Sequence, residues 1–165
     1  MEIMLLLLMS VTVKADVYAN RDGKVISFPS LQSKVVDEFS AGEQIEIKYT
    51  SSTNWVIVKT ENGYGFIRKN CLEQREYLGN FMCTAYAYTG NPCANGNFPS
   101  PGYTVACNSL PFETRIYIDG VGYRVVEDRG PDYGNEWLDI YMENTDACYQ
   151  WGVQYCDVYE VKDYE

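Results

Sequence analysis

Residues 115–128 read Arg115-Ile116-Tyr117-Ile118-Asp119-Gly120-Val121-Gly122-Tyr123-Arg124-Val125-Val126-Glu127-Asp128. β-Branched and aromatic residues crowd both arms, which suits a pleated strand. Asp119-Gly120 between them is a hairpin signal, because such turns need backbone that glycine adopts at little cost. The stretch therefore predicts strands at Arg115–Ile118 and Tyr123–Val126. Outward from this hairpin the texture repeats. Strands are expected at Phe81–Tyr88, Tyr103–Ala106, Leu138–Met142 and Val153–Val161, with a Gly/Asn/Pro-rich loop over Gly90–Gly102. One helix interrupts the pattern. Asn144 or Thr145 caps it, Asp146 favours its positive end and Gly152 stops it.

The earlier part of the chain is β-rich too. Val35–Phe39 precedes a turn at Ser40-Ala41-Gly42-Glu43, and Gln44–Tyr49 then alternates strictly, the period of a half-buried strand. Trp55–Lys59 and Tyr64–Ile67 flank the hairpin signal Glu61-Asn62-Gly63. Short, regularly spaced strands argue for a small barrel. The polar stretch Gln74–Gly79 reads as a linker between two segments. Trp55 reads more readily as core than as a ligand platform.

Composition narrows the chemistry. Fifteen tyrosines among 165 residues suit strands, and their flat rings with polar tips also suit carbohydrate or peptide surfaces. Net charge is −10, unevenly spread. Residues 16–73 hold 7 basic and 8 acidic groups, whereas residues 80–165 hold 4 basic and 13 acidic. A segment this acidic repels nucleic acid and anionic lipid, so neither is an expected partner. The chain has no histidine, which excludes Ser-His-Asp and Cys-His catalysis and His-ligated zinc. Any proton transfer falls to carboxylates, and neither a metal nor a cofactor is expected.

Ile3–Met9 is a short apolar run ending at Val13-Lys14-Ala15, where small residues at −3 and −1 fit signal-peptidase cleavage before Asp16. Residues 1–15 thus read as an export signal, too short to span a bilayer. Six cysteines follow: Cys71, Cys83, Cys93, Cys107, Cys148 and Cys156. An even number in an exported chain predicts disulfides whose pairing the sequence leaves open, with Cys93–Cys107 as one loop-closing bridge.

Two acids stand out. Asp128 lies where Val125-Val126-Glu127 runs into Arg129-Gly130-Pro131. Asp139 lies within Trp137-Leu138-Asp139-Ile140-Tyr141. An acid between Leu138 and Ile140 must face solvent, be paired, or be held partly protonated. The last is what a general acid needs near neutral pH.

Residues 16–73 resemble the bacterial SH3-like domain, through Asp16-Val17-Tyr18-Ala19, Ser33-Lys34-Val35-Val36, Ala41-Gly42, Trp55 and Tyr64-Gly65-Phe66-Ile67. Residues 80–163 resemble the three-aspartate domain of wall proteins. That resemblance rests on Thr84-Ala85-Tyr86, Thr104-Val105-Ala106, Leu110-Pro111-Phe112, Thr114–Ile118, Gly122-Tyr123, Glu127-Asp128, Leu138–Tyr141 and Trp151-Gly152. The resemblances imply an all-β chain: a small SH3-like barrel, then a six-stranded double-psi β-barrel with one short helix. They also imply a secreted, wall-located lytic transglycosylase, expected as a monomer, that cleaves between N-acetylmuramic acid and N-acetylglucosamine. The SH3-like segment would hold wall peptide or glycan. Asp139 would be the acid/base and Asp128 its supporting carboxylate, with Thr84, Tyr86, Tyr141 and Asn108 contacting substrate. The family's first aspartate is missing, because Cys107-Asn108 stands in its place. A glycan-binding module without catalysis and a two-aspartate hydrolase are the competing readings.

Overall fold

The computed structural model describes residues 15–30 and 32–165. The export signal read over residues 1–15 lies, apart from Ala15, outside the described residues. Two β-sheets account for most of the remainder. The first segment contributes β1 (Asp16–Ala19), β2 (Gly23–Ile26), β3 (Val35–Phe39), β4 (Ile47–Thr50), β5 (Trp55–Thr60) and β6 (Gly63–Arg68). A 3₁₀ turn at Lys69–Cys71 leads into β7 (Leu72–Tyr86), followed by β8 (Thr104–Ala106), β9 (Arg115–Ile118) and β10 (Gly122–Asp128). The last elements are β11 (Trp137–Tyr141), α1 (Thr145–Trp151) and β12 (Gln154–Asp163).

Strands β3, β2, β6, β5 and β4 form an antiparallel five-stranded sheet in that order. Alternation explains it: Val56 and Val58 of β5 are buried with Val25, Phe39 and Ile67, while Lys59 faces water. Trp55 is half-buried under the Arg68 guanidinium, 4.8 Å from its ring centre. The strand expected at Gln44–Tyr49 starts later, at Ile47, and Gln44 makes only a single bridge to Tyr18.

Six strands close a barrel in the order β7-β11-β8-β10-β9-β12, with β12 returning to β7. Pairing is mixed: β11 runs parallel to β7 and β10 parallel to β8, and the other contacts are antiparallel. The interior holds Val105, Ile116, Ile118, Val126, Leu138, Ile140 and Val158. Each fully buried aliphatic side chain contributes about 1.5–3 kcal/mol. The helix is capped as its sequence demands. Asn144 Oδ1 accepts from Ala147 N–H, and Gly152 ends the helix at φ +65°.

Two expectations need correction. Gln74–Gly79 is not a linker but the middle of β7, which pairs with β1 on one edge and β12 on the other. Its polar residues find partners: Arg75 is buried and bonds Glu73 on the same strand, and Glu76 meets Lys162 of β12 at the surface. The six cysteines are all thiols, and Cys93–Cys107 is not bridged. Cys107 Sγ instead contacts Ser109 Oγ at 3.4 Å, whereas Cys93 sits beside Asp128 and Tyr86.

Candidate active site

Strand β11 carries the site. Its Leu138 and Ile140 point into the barrel, so Trp137, Asp139 and Tyr141 share the outer face. This face is not bare, and Trp137 is only 1% exposed. The register sets Asp139 opposite Thr84 of β7 on one side and opposite Ala106 of β8 on the other.

Asp128 reaches the same neighbourhood through an irregularity. The pairing of β10 with β8 shifts between Val126 and Asp128, so Asp128 comes opposite Ala106 with Glu127 as the extra residue. Ala106 thus has one aspartate in register on each side. Across two strand spacings their backbones stand about 10 Å apart. The sequence spacing of the pair gave no hint of this shared partner.

The two carboxylates differ in environment. Asp128 accepts three hydrogen bonds, from Tyr86 O–H (3.0 Å), Ala94 N–H (2.9 Å) and Arg129 N–H (2.8 Å). Asp139 accepts one side-chain bond, from the Thr84 hydroxyl at 2.7 Å. Burial pushes its carboxyl above the usual range; the Thr84 bond opposes that shift and the Asp128 charge adds to it. Tyr86 is driven far above the usual phenol range, first by burial and then by Asp128, so it stays a donor. Burial and the neighbouring acids push Cys93 up to about 11, and Cys148 is raised by burial and Asp139. Neither thiol is therefore ionised at neutral pH.

Of the residues singled out from sequence, Thr84, Tyr86, Asp128, Asp139 and Tyr141 gather here, with the Tyr86 and Tyr141 rings packed edge to face at 5.3 Å. Asn108 is differently engaged. Its Oδ1 accepts from Gly130 N–H at 3.1 Å, and its Nδ2 donates to Gly130 and Pro131 carbonyls at 3.0 and 3.2 Å. It clamps the turn that follows Asp128.

Sequence reasoning missed two supports. Trp137 Nε1 donates to Thr84 Oγ1 at 3.1 Å, fixing the hydroxyl that serves Asp139. Its place two residues before Asp139, on the same strand face, was a usable signal. Glu127, buried, accepts from Thr104 Oγ1 at 2.6 Å and Asn97 Nδ2 at 2.9 Å, tying the 93–97 loop to β10. A cavity of about 760 Å³ lies away from both carboxylates, where Arg21, Arg68 and Lys69 approach Arg115 and Asp163.

No family profile matches the chain. A Bacillus subtilis protein named B-enzyme is similar to it, with 36% identity over 94 aligned positions that cover 42% of this chain and 80% of that protein.

Proposed function

We propose that this chain, which belongs to the family of the Bacillus subtilis B-enzyme, is a secreted lytic transglycosylase that remodels peptidoglycan at the cell wall. The observation that carries the reading is the inequality of the two aspartates. Asp139 is half-buried, raised in pKa and held by a single hydroxyl, whereas Asp128 is satisfied by three donors. One proton donor beside one fully hydrogen-bonded carboxylate suits glycosidic cleavage without a second nucleophile.

In this reading the protonated Asp139 donates to the oxygen linking N-acetylmuramic acid to N-acetylglucosamine as the bond breaks. The resulting carboxylate then takes the proton of the muramic C6 hydroxyl, which closes an anhydro ring. Asp128 stabilises oxocarbenium-like charge and keeps the neighbouring carboxyl hard to ionise. Proton transfer of this kind contributes about 10²–10⁴-fold in rate. The closed six-stranded mixed barrel is compatible with the double-psi architecture of the three-aspartate domain. The antiparallel sheet of residues 23–68 suits an SH3-like module that would hold wall peptide or glycan.

The Asn108 clamp favours a second reading. At the family's first aspartate this chain spends a neutral amide on a turn, as a glycan-binding module without catalysis could. Mass analysis of fragments released from purified peptidoglycan separates the readings. Anhydro-muropeptides that vanish in Asp139→Asn are expected. Reducing-end products would replace the proposal by hydrolysis, and wall sedimentation without release would replace it by binding.

A further inference from the structure

We propose that exposed Phe98 and Tyr133 are the two glycan-holding edges of this site, so that a sugar chain crosses Asp139 and is cut internally; this rests on the glycan reading above. The register orders the outer face along β11. Trp137 opposite Met82 marks one end, Asp139 opposite Thr84 the middle, and Tyr141 opposite Tyr86 the other end. At about 3.3 Å per residue, the ends lie about 13 Å apart, the length of a few sugar rings.

Each end carries an aromatic ring that packing leaves uncovered. At the Trp137 end, Tyr133 is 63% exposed and packs edge to face on Trp137 at 5.3 Å, which fixes its ring while leaving a face open. At the Tyr86 end, the loop after β7 returns to Asp128 through Ala94 N–H and to Glu127 through Asn95 N–H and Asn97 Nδ2. Within the loop, Gly96 N–H donates to the Cys93 carbonyl, and Cys93 N–H to the Asn97 carbonyl. Phe98 follows this tied segment directly and is 69% exposed. A phenylalanine displayed next to a loop anchored on Asp128 and Glu127 gains little from folding, and its exposure fits a binding role.

The charge of the barrel segment narrows the ligand class. With 13 acidic against 4 basic residues over 80–165, densely charged polyanions such as nucleic acid are repelled. N-acetylated sugars, with flat C–H faces for aromatic rings and hydroxyls for the carboxylates, are the class that fits.

The test uses the full chain carrying Asp139→Asn, which cannot cleave, titrated calorimetrically with soluble peptidoglycan glycan fragments of about two, four and six sugars. Affinity should rise with length until both edges are covered. Adding Phe98→Ala or Tyr133→Ala should each weaken binding of the longest fragment about tenfold, equivalent to about 1.4 kcal/mol. The disaccharide should be less affected, and melting temperatures should hold, because both rings are exposed. Binding that ignores length, or that neither substitution weakens, would overturn the two edges while leaving the glycan reading intact. A parent that binds no fragment at all would overturn both.

Discussion

Asp139 owes its raised carboxyl pKa to its surroundings: burial lifts it, one hydroxyl pulls it back, and the Asp128 charge lifts it further. A carboxyl raised on folding adds stability below its unfolded pKa and loses it as pH climbs through the folded value. Asp139→Asn removes that loss. The variant should melt higher than wild type at neutral pH, and the difference should close below about pH 4, as scanning calorimetry across pH would register. Thr84→Val removes the one bond that lowers the Asp139 pKa. The Asp139 carboxyl should titrate higher than in wild type, seen by ¹³C NMR of the side chain, and in the proposed reaction the alkaline limb of the rate should move up with it. An unchanged titration would mean that the Thr84 hydroxyl does not set this proton.

Elements bring these residues together in ways a linear reading only partly reaches. The strand at Arg115–Ile118 matches β9 end for end, because β-branched residues and an Asp-Gly turn are local signals. The same held for the cap at Asn144 and the stop at Gly152. Gln74–Gly79 was illegible because backbone pairing with β1 and β12, both distant in sequence, holds this polar stretch extended. The aspartates themselves could be read, but their meeting at Ala106 depends on a β10 register shift that no local pattern announces. The turn after that shift is tightly fitted. A Cβ on Gly130 would lie 2.4 Å from Trp137 Cη2, so the backbone presses directly on the indole. Gly130→Ala should cost about 1–3 kcal/mol in urea unfolding and disturb the Trp137 indole N–H signal. Asn144→Ala, removing the cap far from that turn, should cost about 1 kcal/mol without touching that signal.

At the scale of the whole chain, β1 is drawn from the first segment yet pairs with β7 of the barrel, and one buried charge pair sits at that seam. Arg75, 7% exposed, donates to Glu73, 4% exposed, at 2.9 Å, and Tyr123 O–H donates to the same carboxylate at 2.6 Å. The guanidinium is sandwiched between Tyr18 of β1 and Tyr117 of β9, 4.1 and 3.8 Å from their ring centres. One cation therefore joins the first strand to the far wall of the barrel. Removing one partner of a buried pair leaves the other charge unpaired, at a cost of about 3–5 kcal/mol. Arg75→Met should lose stability of that order, and its unfolding should split into two transitions as the Tyr18 contact disappears. Glu73→Gln combined with Arg75→Met leaves no buried charge behind, so it should lose clearly less than Arg75→Met alone. Denaturant unfolding followed by tryptophan fluorescence reads both segments at once, since Trp55 lies in one sheet and Trp137 and Trp151 in or beside the other. A double variant as unstable as the single one would show that stacking on Tyr18 and Tyr117, rather than charge pairing, holds the seam.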